Sequence, residues 1–513
     1  MQVAKEKTTN GNRRPNKREG KAASSSAEAM KRIIDERSAT GTDETKSTID
    51  YLRESLAYEP VTLWDVRSEA EIAEAMEMSR NYQDFLNGAK TERAYVRETI
   101  ARLEEAGFVA LDEQPRLMPG DRVYRSIRGK GLVAAVIGSR PVTDGFNIVG
   151  AHIDSPRVDL KPRPLYDDAE LVLFKTHYYG GIKKYQWTSR PMALHGVVIR
   201  ADGTAVEICV GEDDDDPVFC FTDLLPHLGR EQMKKTASEV VTGEELNLLV
   251  GARPLPDRGE RRFSLGLLKL LNEKYGITER DLLTAELEIV PAGQARDVGF
   301  DRALIGAYGH DDRICAWTAI EALAGLETTS RTAVVLLTDK EEIGSVGNTG
   351  AQARSYENVL LDIMQRINGK ADERAWRYGL EASGMLSADV CNGFDPTFAS
   401  VSDKRNNAHL GQGVALMKVT GRGGKGGASD CSAEFMNAVT RVFDAAGVVW
   451  QAAELGRVDQ GGGGTIAYLF AHLGMDVLDC GVPLLSMHAP FEIAHVLDLR
   501  EAHAAYTAFL TRR

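Results

Sequence analysis

Thr332-Ala333-Val334-Val335-Leu336-Leu337 runs directly into Thr338-Asp339-Lys340-Glu341-Glu342-Ile343-Gly344-Ser345. A short apolar, β-branched run that stops at turn residues predicts a buried strand. The acidic pair falls where that strand opens into a loop. Adjacent carboxylates repel each other, and holding them at the rim of a core costs desolvation energy. A cation, or a reaction that needs one of them protonated, accounts for the cost. The plain alternative is a solvated loop pair, because most charged side chains sit on the surface.

Working outward, 513 residues is long for one core and implies two or more domains. The content of 43% hydrophobic and 27% charged residues is ordinary for a soluble globular chain. No apolar run approaches the roughly 20 residues that span a bilayer, so no membrane segment is expected. A net charge of -13 argues against a nucleic-acid partner, which needs clustered Lys and Arg. Cys209, Cys220, Cys315, Cys391, Cys431 and Cys480 show no Cys-x-x-Cys spacing. They read as reduced residues of a cytoplasmic protein, not as a disulfide framework or a thiolate zinc site. Residues 1–46 are rich in Lys, Arg, Ser and Asn and poor in large apolar side chains. They read as a disordered basic tail. A transit peptide fits less well, since Glu6, Glu19 and Glu28 break the acid-poor pattern.

Ser68-Glu69-Ala70-Glu71 has the spacing of a capping box at a helix start, and a second helix is expected from Thr91 to Gly107. Strands follow at Leu132 to Ile137 and at Asn147 to Ala151, the latter running into His152-Ile153-Asp154-Ser155-Pro156. Between Arg157 and Thr284 the texture is largely β: strands at Glu170 to Tyr179 and within Met192 to Val210, an Asp202-Gly203 hairpin signal, and one helix from Phe263 to Tyr275. The acidic run Glu212 to Asp216 reads as a solvated loop. After it, apolar strands (Leu287 to Val290, Thr332 to Leu337, Val477 to Val482) alternate with helices (Arg313 to Leu326, Ala433 to Ala446, Thr465 to Leu473). That alternation predicts an α/β fold with helices on both faces of a sheet and ligands at the carboxyl ends of its strands. The expected division is 47–156 and 285–513 as one domain, with 157–284 inserted as a second, mainly β domain.

His152, Asp311 and Asp312, Glu341 and Glu342, Asp389 and His488 all fall at such strand ends or their loops. Each alone has a dull explanation as a cap, a turn residue or a core histidine. Together they offer imidazole and carboxylate donors without thiolate, a set suited to zinc or a similar divalent ion. Two metals sharing so few ligands need a bridging carboxylate and leave room for a water, which is the stoichiometry of a catalytic site.

The series Gly150-Ala151-His152-Ile153-Asp154-Ser155-Pro156, Asp311-Asp312-Arg313, Asp339 to Ser345, Ser387-Ala388-Asp389 and Ser486-Met487-His488 resembles that of the aspartyl aminopeptidase and vacuolar aminopeptidase I family of di-zinc metallopeptidases, from about Leu63 to the C-terminus. The resemblance implies a mixed-sheet α/β/α zinc-exopeptidase domain with an inserted mainly-β dimerisation domain. It implies two Zn2+ per subunit, with Co2+ or Mn2+ as substitutes: His152 and Asp389 on one, Glu342 and His488 on the other, and Asp311 between them. Asp154 would orient His152 from outside the ligand set, and Asp312 would shape the turn. Glu341 would be the general base, taking a proton from the attacking water and returning it to the leaving amine. The expected partners are peptide substrates and other copies of the chain, as dimers building a larger homo-oligomer. Leu224-Leu225-Pro226-His227-Leu228-Gly229-Arg230 resembles the stretch that sends a His into the neighbouring subunit's site, which makes His227 a candidate.

Two glycine-rich loops, Gly421 to Gly427 and Gly461 to Gly464, would allow close backbone approach to a substrate. The family places a basic residue near the first, to meet an acidic N-terminal side chain, and the spacing leaves Lys418, Lys425 or neither in that role. Val390-Cys391-Asn392-Gly393 departs from the His-containing run of the animal enzymes, so aminopeptidase action is expected and a preference for Asp or Glu is not implied as firmly. The competing readings are a self-assembling particle with structural metals, and an amidase or carboxypeptidase on the same scaffold.

Overall fold

The computed structural model describes residues 48–370 and 372–513, so the tail expected at 1–46 lies outside the described residues. Val61–Arg513 forms one compact unit. The helix Thr48–Leu56 belongs to a separate unit, in which Arg53 pairs with Glu59 at 2.9 Å.

A nine-stranded mixed sheet carries the fold. Its strands lie in the order Val109–Ala110, Arg122–Ile127, Gly131–Val136, Ala333–Thr338, Asn147–His152, Gly384–Ser387, Asp476–Gly481, Val414–Met417 and Trp450–Ala452. The four strands from Ala333–Thr338 to Asp476–Gly481 run parallel, in register from Thr338 opposite His152 to Ser387 opposite Asp479. Successive side chains on a strand face opposite ways, and both sides are covered. Val149, Ala151, Val335 and Leu337 join the helices Glu69–Gly88, Glu92–Glu105, His310–Ala324 and Val496–Leu510 in one core. Ile148, Val334 and Leu336 join Ser355–Asn368 and Glu373–Glu381 in another. This is the expected α/β/α arrangement.

A second, seven-stranded sheet has the order Ala205–Val210, Met192–Ile199, Ala285–Pro291, Arg157–Asp168, Leu171–Tyr179, Asn247–Gly251 and Cys220–Phe221. The strand Leu171–Tyr179 alternates buried with accessible residues along most of its length, and the sheet packs around a core that includes Phe174, Trp187, Leu248 and Ile289. The helix Arg262–Tyr275 ends on Gly276 at φ +67, a left-handed cap that glycine takes without Cβ strain.

Three expectations change. The strand at Leu287 to Val290 belongs to this second sheet, pairing with Met192–Ile199 from Ala285 opposite Val198 to Pro291 opposite Met192. A short apolar run does not carry the identity of its partner, and the second sheet takes in the chain as far as Pro291. The helix expected over Thr465 to Leu473 is confined to Ala467–Ala471, because the Thr465 hydroxyl reaches Asp479 Oδ1 at 2.6 Å. The acidic run is not wholly solvated: Glu212 accepts from the buried Lys90 Nζ at 2.5 Å and meets His195 Nε2 at 2.8 Å.

Candidate metal centre

The strand Ala333–Thr338 ends as the sequence predicts, and the chain turns at Lys340, φ +68, into a single 3-10 turn over Glu341–Ile343. Asp339 is tied back to Lys340 Nζ at 2.7 Å and Thr349 Oγ1 at 2.6 Å. The acidic pair is therefore set at the carboxyl end of a central strand. His152 ends the adjacent parallel strand, and Asp389 follows the next one. Asp311 and Asp312 lie in the first turn of His310–Ala324, where their φ and ψ are not helical and the peptide between them is cis. His488, at φ +65, comes from the loop before Glu492–His495.

Asp311 is the centre of the cluster. Its Oδ1 lies 3.2 Å from His152 Nε2, and its Oδ2 lies 3.1 Å from His488 Nε2. Beyond His152 stands Asp389, at 3.9 Å, and beyond His488 stands Glu342 Oε1, at 3.5 Å. The donor atoms of His152, Asp311 and Glu342 lie within 4.8 Å of one another, as do those of His152, Asp312 and Asp389. Asp312 thus does more than shape a turn: its Oδ2 accepts from His152 N at 3.3 Å, and its carboxylate reaches into the same group.

The neighbouring glutamates differ. Glu342 is buried to 4% side-chain exposure. Glu341 makes no side-chain hydrogen bond or ion pair among the described residues, while its backbone N–H donates to Asp154 Oδ1 at 3.1 Å. Asp154 also accepts from Glu342 N at 3.2 Å, so its carboxylate holds the acidic turn. It is 3.4 Å from His152 Nδ1, but the closer partner of that nitrogen is the Asp154 backbone carbonyl at 3.0 Å.

The donor set fits a divalent cation. Asp311 Oδ1, Asp312 Oδ1 and Glu342 Oε1 are buried without a hydrogen-bond partner, a costly state that a cation among them would relieve. Oxygen and imidazole donors without thiolate match zinc. The surplus of carboxylate also drives protons onto the cluster. Burial would lower the His152 imidazole, but contacts with Asp154 and Asp311 hold it well above its ordinary range. Burial likewise opposes the charge on His488, yet Asp311 and Glu342 push it up to about 11. Burial raises Glu341 to about 7.

Two supporting groups are not in the sequence reading. Glu492 is fully buried and accepts from Asp311 N at 3.1 Å and from His488 N at 2.7 Å, joining two loops of the cluster. Burial, followed by the charge of Asp311, raises its carboxyl to about 8. Its spacing of four from His488 was the available signal. The second group is the turn Tyr179-Gly180-Gly181, whose paired glycines mark a close backbone approach. His227 stands apart: it is exposed on a turn after Cys220–Phe221, and no hydrogen bond or ion pair among the described residues joins it to the cluster. Lys418 and Lys425 both turn to Asp430, at 3.9 and 3.3 Å.

Residues 85–510 match the family of aminopeptidase I zinc metalloproteases, M18. The chain belongs to the M18 family. A relative from Clostridium acetobutylicum named "Probable M18 family aminopeptidase 1" is 49% identical over 452 residues, 87% of this chain and 97% of its own. The crystal structure of an M18 aminopeptidase from Thermotoga maritima superposes with a TM-score of 0.85 at 46% identity, covering 89% of this chain and all of that one. The mApe1 dodecamer of Saccharomyces cerevisiae, 21% identical, shares the fold with a TM-score of 0.68 over 84% of this chain and 96% of that one. The M18 chain is an aminopeptidase, a zinc-dependent exopeptidase, and the cluster at the carboxyl ends of its central strands supplies donors fit for that metal. Among its described residues no helix is long and apolar enough to cross a membrane.

Proposed function

We propose that this M18 aminopeptidase releases N-terminal residues from peptides by two-zinc hydrolysis with Glu341 as the general base. The observation that carries the reading is the Asp311 carboxylate, whose two oxygens face two different imidazoles at 3.2 and 3.1 Å. Asp311 would bridge the ions, His152 and Asp389 holding one and Glu342 and His488 the other. When bound, the zinc pair polarises the scissile carbonyl and makes the attacking water acidic. The Glu341 side chain makes no hydrogen bond or ion pair among the described residues beside the ligand Glu342, and burial raises it to about 7, so it can take the water's proton and deliver it to the departing amine. A structural metal site needs no such free carboxylate. A cavity of about 640 Å³ opens beside His488 between the segments carrying Lys183, Asn392 and Ser402, and would receive the peptide.

The same proposal includes the inserted domain, 157–284, which would join copies of the chain into dimers and larger assemblies. Exposed Leu224, Leu225 and Leu228 flank His227, which would enter a neighbouring copy's site; the dodecameric state of a fold relative agrees with such assembly. Release of acidic N-terminal residues, Asp or Glu, is the narrower form of this reading; Lys418 and Lys425 each lie near Asp430, at 3.9 and 3.3 Å. Six unpaired cysteines agree with a cytoplasmic location.

Glu341→Gln tests the mechanism. The variant is expected to keep two zinc ions per chain and lose about 10²- to 10⁴-fold in kcat, the usual range for a general base. Native turnover with both metals present would remove Glu341 from that role. Acetylating the substrate's amino terminus should abolish cleavage, whereas an acyl-releasing amidase would continue.

A further inference from the structure

The last strand residue and the two glycines of Tyr179-Gly180-Gly181 reach the metal centre from the seven-stranded sheet. Antiparallel register sets Tyr179 opposite Arg157, and the guanidinium lies 3.9 Å from the centroid of the Tyr179 ring. So held, the phenol donates to Asp154 Oδ2 at 2.9 Å. Asp154 is the carboxylate that receives the backbone N–H groups of both Glu341 and Glu342. Two residues on, the Gly181 carbonyl lies 2.9 Å from His488 Nδ1. A carbonyl can only accept, so Nδ1 carries a proton and Nε2 faces Asp311 and Glu342.

Backbone and space both favour glycine at 180, whereas at 181 a Cβ would make an ordinary contact. Gly180 has φ +75, and a Cβ there would stand 3.3 Å from both Cβ and Oε2 of Glu342. A Cβ on Gly181 would stand 3.4 Å from His488 Nδ1. The turn therefore touches both halves of the proposed ligand set without supplying a ligand.

We propose that Tyr179-Gly180-Gly181 is the positioning element of the zinc site: Tyr179 fixes the Glu341–Glu342 turn through Asp154, and Gly181 fixes the His488 tautomer that presents Nε2. This rests on the two-zinc reading. Groups that orient metal ligands from outside the coordination shell typically contribute about 10- to 100-fold in metal affinity or activity.

Tyr179→Phe keeps the ring against Arg157 and removes only the hydroxyl. In the full-length chain, kcat on a short peptide at saturating zinc should fall about 10-fold with KM within twofold, and zinc affinity, measured on metal-free protein by competition with a chromophoric chelator, should weaken. Gly180→Ala, tested the same way, should weaken zinc binding by about 10-fold or more through displacement of Glu342. A Tyr179→Phe protein with native kcat and native zinc affinity overturns the proposal, whether or not its Tm has dropped; so does a rise in KM alone, which would make Tyr179 a substrate contact. A wild-type chain that binds zinc yet shows no zinc-dependent turnover sinks the two-zinc reading instead, and the affinity arm still decides the role of the turn.

Discussion

Two buried charge clusters among the described residues are balanced differently. Where the seven-stranded sheet meets the helix Glu92–Glu105, Arg157 and Lys130 face Glu92, Asp159 and Glu288. Arg157 lies 2.8 Å from Asp159, 3.4 Å from Glu288 and 3.5 Å from Glu92, and Lys130 lies 3.1 Å from Glu92. The orphan oxygens of this cluster, Glu92 Oε2 and Glu288 Oε2, each still face the Arg157 guanidinium. At the metal centre the carboxylates far outnumber the two histidines, and Asp312 Oδ1 and Glu342 Oε1 are buried without a hydrogen bond, the His488 imidazole standing 3.5 Å from the latter. A cluster that carries its own guanidinium and ammonium can serve as a structural staple. One that lacks them is built to receive positive charge from outside. Tyr179 stands between the two, with its ring on Arg157 and its hydroxyl on Asp154.

The strongest way to break this contrast is to remove the group shared by both sides of the centre. Asp311→Ala should abolish measurable turnover and weaken zinc binding by more than about 100-fold, exceeding the loss expected for a merely orienting group. Zinc at a thousandfold excess over Kd adds about 4 kcal/mol to a folded protein, so the wild type should show a zinc-dependent rise in Tm that the variant lacks. An unchanged zinc titration would detach Asp311 from the metal. Arg157→Met is the reciprocal change. It leaves Glu92 and Glu288 buried with too little countercharge, and breaking a buried pair in this way costs about 3–5 kcal/mol. Urea denaturation should register that loss while zinc affinity per folded chain stays within the range allowed by the Tyr179 contact. If stability is unaffected, the cluster is not a staple.

Legibility in the sequence follows the same division between local and distant causes. The central strands are readable because burial on both faces leaves a continuous apolar run, as in Ala333–Thr338. The residues brought together at the centre are readable because His152, Glu341, Glu342 and Asp389 each sit where such a run ends, a pattern that needs no knowledge of partners. Their support is not. Glu492 meets Asp311 across 181 positions, and Gly181 meets His488 across 307, in both cases through a backbone group that every residue possesses. The partner of Ala285–Pro291 is hidden for the same reason, since β pairing is made by backbone atoms and leaves little mark on side-chain composition. His227 is legible only by resemblance, and within one chain it has no contact with the centre.

The smallest expected effect belongs to the feature most completely written in local sequence. Ser68 caps the helix Glu69–Gly88: its Oγ accepts from Glu71 N at 3.3 Å, and Ser68 N donates to Glu71 Oε2 at 2.9 Å. Ser68→Ala removes one half of this box and should cost about 1 kcal/mol. The helix would persist, because Tyr82 and Leu86 anchor it in the core and the adjacent Arg67 makes a two-pronged pair with buried Glu501 at 2.8 and 2.6 Å. The cap also has a pH signature. The Ser68 backbone N–H, then its hydroxyl, hold the Glu71 carboxyl below its ordinary value of 4.5. A depressed carboxyl stabilises the fold above the unfolded value and loses that contribution as pH falls through the folded one. The gap between wild type and Ser68→Ala, followed by Tm, should therefore be full at neutral pH and shrink once the pH drops below 4.5. A gap that stays constant into acid would mean that the Ser68 hydroxyl acts only by accepting from Glu71 N, and that its own 2.8 Å bond to Glu71 Oε2 contributes nothing.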